Sequence, residues 1–243
     1  MAYLVENNLA FSILLVFLPP RPLLRQNGRV TDTPPSTTPD KETLRQRRAW
    51  RRQAASYDRK VERAERTMLD GSREWVGARA SGRVLEVAVG TGRDLPFYPA
   101  GIELVGIDLS PEMLAIARAR ADDAGIRAEL REGDAEALPF GDGEFDTVVC
   151  ALALCSIPRP EVALAEMARV VRPGGSVVLV DHTRSDRALV YAGQWVIERF
   201  TIPLQGEHLT RRHRGEVEAA GLEVVEHERL RDGAVERIRA TRP

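Results

Sequence analysis

Cysteine is almost missing from this chain: two residues in 243, Cys150 and Cys155, with only four histidines and no cluster of them beside the pair. That spacing supports neither a disulfide framework nor a zinc site, so no metal is expected and a reducing cytoplasm is the expected compartment. A dominant charge is missing too. The net charge of -1 lacks the basic field of a chain built around nucleic acid, so no nucleic-acid partner is expected. No apolar run reaches the ~20 residues of a spanning helix. The longest candidate, "LAFSILLVFL" at 9–18, is about half of that, follows Glu6 rather than basic residues and runs into "PPRP", which fits neither a membrane span nor a secretory signal. Internal repeats are absent.

What is present divides into three stretches. Residues 1–40 end in "NGRVTDTPPSTTPD", a Pro-, Thr- and Ser-rich linker, and are expected to be a leader; a true start at Val30 is the alternative. Residues 41–80 are expected to form a helical cap. Its first part, 41–60, holds eight basic residues against Glu42 and Asp58, a local charge of +6 beside Leu44, Trp50 and Ala54. Such a cationic helix either covers the core with a solvated face or meets an anionic substrate or membrane surface. Residues 81–243 are expected to form the main domain.

Within that domain, Val/Leu-rich stretches alternate with amphipathic ones. Strands are predicted at 83–89, 103–108, 127–132, 145–152, 176–182, 222–230 and 234–241, and helices at 110–125, 160–171, 185–200 and 210–221. Continuous apolar strands between amphipathic helices mean a parallel sheet covered on both faces. "RDG" at 231–233 joins the last two strands as a hairpin turn. The predicted fold is therefore α/β: a Rossmann-like, doubly wound, seven-stranded, mostly parallel sheet with an antiparallel C-terminal hairpin and an N-terminal helical extension.

In such sheets a ligand lies at the carboxyl ends of the strands, where strand order reverses. The first strand runs into Gly90-Thr91-Gly92, where glycine lets backbone approach a ligand closely. A dinucleotide loop, G-x-G-x-x-G, fails here because its third glycine position is Leu95. Instead an acidic residue stands in or after each of three strands: Glu86 inside the first, Asp108 ending the second, where it suits a ribose diol, and Asp134 after the third.

Together, "LEVAVGTG", "GIDLSPEMLAIAR", "GDAEALPFGDGEFDTVV" and "MARVVRPGGSVVLVDH" resemble the class I methyltransferases that use S-adenosylmethionine, over roughly residues 50–240. The resemblance implies that cofactor. Glu86 and the turn from Ala88 through Gly90 to Gly92 would cradle its methionine part, Asp108 its ribose, and Leu109 and Met113 its adenine. Asp134 would bond the adenine amino group, Ala135 would add a backbone contact, and Tyr57 would cover the ligand. Position 88 is usually glycine in this family, and alanine is expected to be accommodated there with φ negative, leaving binding weakened or reshaped at most.

"GTGRDLPFYP" and "CALALCSIPRPEVALAEMARVVRPGG" are similar to bacterial phosphatidylethanolamine N-methyltransferases and methyltransferase-like thiol methyltransferases, with quinone C-methyltransferases next. The implied function is methyl transfer to a small-molecule or lipid-like acceptor, with peripheral membrane contact through the 41–60 helix; a non-catalytic ligand-binding regulator with this fold is the alternative. Methyl transfer needs alignment first and a base only for a protonated acceptor. Asp181 and His182, ending the fifth strand, are the expected catalytic pair, with His208 and His213 as further candidate bases and His227 as structural. Cys155 either lines the acceptor pocket or packs in the core, and Tyr191, Trp195 and Phe200 either pack in the core or form a lid. Oligomeric state does not follow from the sequence.

Overall fold

The computed structural model describes residues 41–69 and 71–243, the side chains of residues 63–68 aside. The expectations for the apolar run at 9–18, the linker and the Val30 start lie outside the described residues.

Seven strands, β1 (Arg83–Val87), β2 (Glu103–Asp108), β3 (Ala128–Glu132), β4 (Phe145–Ala151), β5 (Val171–His182), β6 (Glu223–Leu230) and β7 (Val235–Thr241), form one sheet in the order β3-β2-β1-β4-β5-β7-β6. The pairs among β1 to β5 are parallel, and β7 lies antiparallel to both β5 and β6. This is the predicted sheet. The β6–β7 turn takes the left-handed backbone of a tight hairpin, with positive φ at Arg231, Asp232 and Gly233. Strand order reverses between β1 and β4, so the crevice at their carboxyl ends is where a ligand has room.

Among the described residues, six α-helices accompany the sheet: α1 (Lys41–Met68), α2 (Ser72–Gly77), α3 (Pro111–Ala124), α4 (Pro160–Val170), α5 (Ala188–Gln205) and α6 (His213–Ala219). Local chemistry sets their ends. Ser110 caps α3 by accepting the Met113 N–H, Pro111 stands in its first turn, and Gly125 closes it in a left-handed conformation. The strands bury both faces. Leu85, Val87, Val148 and Leu179 pack in one layer with Leu164 and Met167 of α4 and Val217 of α6; Val84, Val149 and Val178 pack in the other with Trp75 and Val76 of α2 and Leu114 of α3. Each such side chain contributes roughly 1.5–3 kcal/mol of burial, which makes the sheet the rigid part on which the crevice is built.

Some bounds differ from expectation: β5 begins at Val171 rather than 176, and α6 runs His213–Ala219 rather than 210–221. Helix α2 lies inside the expected 41–80 helical cap as a separate helix of six residues, less than two turns, whose own bounds no period marks. Helix α5 runs 188–205 instead of 185–200, past Pro203, and ends at Gly206. A Cβ on Gly206 would stand 1.9 Å from Gln46 Nε2, so this glycine admits the close approach of α1. Trp195 and Phe200 do not pack in the core: both are exposed, while Tyr191 is half-buried beneath Arg184.

Candidate functional site

The turn after β1 is the centre of the crevice. Ala88, Gly90 and Gly92 have φ of 56°, 56° and 74°. The expected negative φ at Ala88 is therefore corrected: the chain reverses so abruptly after β1 that position 88 enters the left-handed region despite its Cβ. A Cβ at Gly92 would come within 2.6 Å of Leu95 Cδ1 and 3.1 Å of Ala117 Cβ, so glycine here lets the turn press against α3.

Asp108 ties this turn to β2. Its Oδ2 accepts the Gly90 N–H (2.9 Å) and its Oδ1 the Ser110 N–H (2.8 Å). Burial pushes its pKa up to about 6 against the opposing pull of those two N–H groups. Each oxygen keeps a further lone pair for an incoming hydroxyl donor.

Beyond Asp108, Leu109, Asp134 and Ala135 line a narrow cavity of about 40 Å³. Its other walls are Thr43, Gln46 and Trp50 of α1 and the 156–158 segment after β4, where Gln46 Nε2 donates to the Ser156 carbonyl (2.7 Å). Met113 is buried in the first turn of α3 and does not line this cavity. Tyr57 is half-buried on α1, edge-on to Trp50 with ring centroids 6.0 Å apart.

The neighbour of Tyr57 fastens α1 to the turn. Asp58 accepts from the Thr91 hydroxyl (2.6 Å) and pairs with Arg120 and Arg93, while Arg120 also donates to the Thr91 carbonyl (2.6 Å). Burial raises the Asp58 pKa, but the Thr91 and Arg120 contacts outweigh it and hold the carboxyl below its usual range.

Glu86 sits beneath the turn, on the sheet face covered by α2, and is 2% exposed. Burial, then the charge of Asp94, pushes its carboxyl well above the usual range; Tyr98 and Arg73 oppose this, and Oε2 is left without a hydrogen-bond partner. Arg73 itself pairs with Asp94 at 2.8 Å.

At the ends of β4 and β5 the buried Asp181 carboxylate accepts the Cys155 N–H (2.9 Å) and the His182 N–H (2.7 Å). His182 Nδ1 lies 3.7 Å from Asp181 Oδ1 and 4.0 Å from Cys155 Sγ. Cys155, Asp181 and His182 thus bring their ligand-type atoms within 4.8 Å of one another, a proximity that linear spacing does not reveal. Cys155 is buried, and its thiol is pushed well up by burial and by Asp181. Among the other histidines, His213 is buried, with Nδ1 3.2 Å from Glu216 and Nε2 3.1 Å from the His182 carbonyl, which leaves it no free nitrogen for an acceptor. His227 Nε2 lies 3.1 Å from Glu236. His208 donates its backbone N–H to the Cys155 carbonyl (2.9 Å), and burial and Arg211 push its ring pKa down.

The crevice thus brings together the 88–92 turn, Asp108, Leu109, Asp134 and Ala135, with Asp181 and His182 two strands along. Sequence reasoning missed two parts. The cavity wall of Thr43, Gln46 and Trp50 follows the buried face of α1, whose spacing through Ala54 and Tyr57 was a readable signal. The Asp58–Thr91–Arg120 cluster had none, because its members lie far apart in sequence.

Residues 85–179 match the family model described as a methyltransferase domain. The chain is 46% identical over 127 residues to a phosphatidylethanolamine N-methyltransferase of Cereibacter sphaeroides, which covers 51% of this chain and 62% of the relative. It is 43% identical over 107 residues to a demethylmenaquinone methyltransferase of Renibacterium salmoninarum, 44% of either chain. The chain therefore spans less than two thirds of the length of these relatives. In fold it is similar to the crystal structure of an S-adenosylmethionine-dependent methyltransferase of Thermotoga maritima, with a TM-score of 0.63, 23% identity, and coverage of 82% of this chain and 100% of that one.

Proposed function

We propose, from the premise that this chain belongs to the class I S-adenosylmethionine-dependent methyltransferases, that it transfers a methyl group to a small-molecule or lipid-like acceptor, a phospholipid amine or a thiol foremost. The observation that carries this reading is the crevice: Asp108 beside the 88–92 turn, continuous with a cavity walled by Leu109, Asp134, Ala135 and Trp50. The residues fit the cofactor. A carboxylate with free lone pairs suits a ribose diol, a slot lined by Trp50, Leu109 and Ile157 with the acid Asp134 suits adenine, and the orphaned buried oxygen of Glu86 marks a place for a cationic amine. When bound, S-adenosylmethionine supplies a methyl group on a sulfonium, whose departure needs no further activation.

The chain's own task is alignment and exclusion of water. Asp108 and Asp134 hold the nucleoside end, the turn lets backbone approach, and Trp50 and Tyr57 on α1 close the crevice. Asp181, by accepting two backbone N–H groups, fixes the loop after β4 against the end of β5 and so positions His182. His182 is the group we assign to take the proton of an amine or thiol acceptor. The relatives named for phosphatidylethanolamine and demethylmenaquinone support an acceptor with a lipid part, and the cationic α1 supports contact with an anionic surface, in a cytoplasmic protein at the membrane periphery. Among the described residues, no helix is long and apolar enough to cross a membrane.

The test is calorimetric titration with S-adenosylmethionine, S-adenosylhomocysteine and NAD, on the parent and on Asp108→Ala. Binding of both adenosyl ligands but not NAD, lost in the variant, is the expected result. Binding of NAD alone overturns the reading; adenosyl binding with no turnover across amine, thiol and phospholipid acceptors assigns the chain to the regulator alternative.

A further inference from the structure

Helix α5 is built inside out. Its buried residues are polar: Gln194 donates to the Thr183 (2.8 Å) and Leu209 (3.1 Å) carbonyls and accepts the Ser185 N–H (2.9 Å), and Glu198 accepts the Thr210 N–H (3.1 Å) and hydroxyl. Four of its exposed residues are large and apolar: Leu189 is 89% exposed, Leu204 72%, Phe200 59% and Ile197 51%. At helical spacing these four fall within one sector of the helix, while Trp195 and Arg199 stack together (4.8 Å) outside it. Water-facing helices of soluble domains carry the opposite pattern, so this face has an apolar partner.

The charge around the face identifies that partner. Pro203 and Leu204 share a surface depression with Lys41, Arg45, Arg48 and Arg52 of α1, and Arg45 is joined to α5 through the Ile202 carbonyl (2.8 Å). Among the described residues, Lys41, Arg48 and Arg52 have no acidic partner. A row of cations beside the Leu204 end of an apolar helix face is complementary to an anionic bilayer: side chains enter below the headgroups while the cations meet the phosphates. A second copy seated symmetrically near Leu204 would bring two basic rows together.

We propose that α5, with the basic row of α1, is a monotopic membrane-docking face for anionic phospholipid. In its purpose this rests on the lipid-acceptor reading. Helix α5 begins a few residues after His182, so a bilayer held on this face brings headgroups to the mouth of the crevice, and vesicle binding is read without turnover.

The experiment is flotation of the full chain with vesicles of phosphatidylglycerol and phosphatidylcholine, and with phosphatidylcholine alone, at low and high salt. Three proteins are compared: the parent, Ile197→Glu with Phe200→Glu, and Arg48→Glu with Arg52→Glu. Unfolding midpoint, S-adenosylhomocysteine affinity and light-scattering mass are measured on each; Leu189→Ser with Leu204→Ser stands in if the first pair fails to fold. The parent is expected to float with the anionic vesicles only, and each pair to lose about tenfold or more in binding with its midpoint and ligand affinity kept. Undiminished flotation of the α5 variants, no flotation of the parent, or a parent dimer that the α5 substitutions abolish overturns the proposal. Loss of S-adenosylhomocysteine binding in the parent with vesicle binding intact strikes the methyltransferase reading and leaves this one standing.

Discussion

Ala88 carries a methyl group in a backbone conformation that L-residues avoid, at φ 56°. The left-handed region costs a non-glycine residue roughly 1–2 kcal/mol. Glycine would relieve that, but its looser unfolded chain takes back about 0.4–1 kcal/mol. The half-buried methyl also touches the core layer around Leu85 and Val87, and its loss costs part of about 0.8 kcal/mol. The strain is the largest of the three, so Ala88→Gly is expected to stabilise the protein by roughly 0.5 kcal/mol. A urea titration should show a higher midpoint with an unchanged slope, and calorimetry an S-adenosylhomocysteine affinity equal to or tighter than the parent's. A lower midpoint would mean the methyl contacts outweigh the strain. At this scale the turn, Asp108 and Asp134 were legible, because each is marked by residues within a few positions of a strand end. The sign of φ at Ala88 was not, since side-chain identity argues for negative φ and only the packing of β1 against β2 and β4 forces the reversal.

Helix α1 is held to the crevice by a side chain that no local pattern marks. Asp58 meets Thr91 and Arg120 across separations of 33 and 62 residues, and read alone it is one acid in a basic helix. The strands, by contrast, were readable because continuous apolar runs report burial on both faces wherever they lie. Alanine favours helix more than aspartate, so Asp58→Ala leaves α1 intact as a helix and removes only its fastening. Amide exchange over residues 50–62 is expected to accelerate while the protection of β1 and β4 stays. Affinity for S-adenosylhomocysteine is expected to fall about tenfold, because the wall carrying Trp50 and Tyr57 must then be ordered by the ligand. Asp58→Asn, which keeps an acceptor for Thr91 but loses the charge facing Arg120 and Arg93, should fall between. Unchanged exchange over α1 in the alanine variant would show that Trp50 and the Gln46–Ser156 bond hold the helix without Asp58.

The buried acids of the crevice set a pH dependence for the molecule as a whole. Asp108 is raised to about 6, Glu86 well above its usual range by burial and by Asp94, and His213 is raised by Glu216 and other nearby acids despite its burial. Groups raised on folding stabilise below their unfolded pKa and lose that contribution as pH climbs through the folded value; for Asp108 alone this is worth roughly 3 kcal/mol between pH 4 and 7. His208, lowered by burial, works the other way near pH 6.5 and offsets part of the His213 contribution. Asp58, Asp146 and Glu226 are lowered by their arginine and hydroxyl partners, so their stabilisation stands above pH ~4 and is lost below it. The ligand-free protein is therefore expected to melt highest near pH ~5 and to lose stability on either side. An adenosyl ligand reverses the neutral limb: ribose hydroxyls donating to Asp108 favour its ionised form, so the melting increment given by S-adenosylhomocysteine should grow from pH 5 to 7. Melting curves between pH 4 and 8, with and without the ligand, check both limbs. In Asp108→Asn one backbone N–H faces an amide N–H₂ in place of an acceptor, so that variant should be less stable by about 1–3 kcal/mol, with a ligand increment that no longer varies with pH across this window. An increment in the parent that shrinks as pH rises would show that the ribose does not reach Asp108, and would move the nucleoside end elsewhere in the crevice.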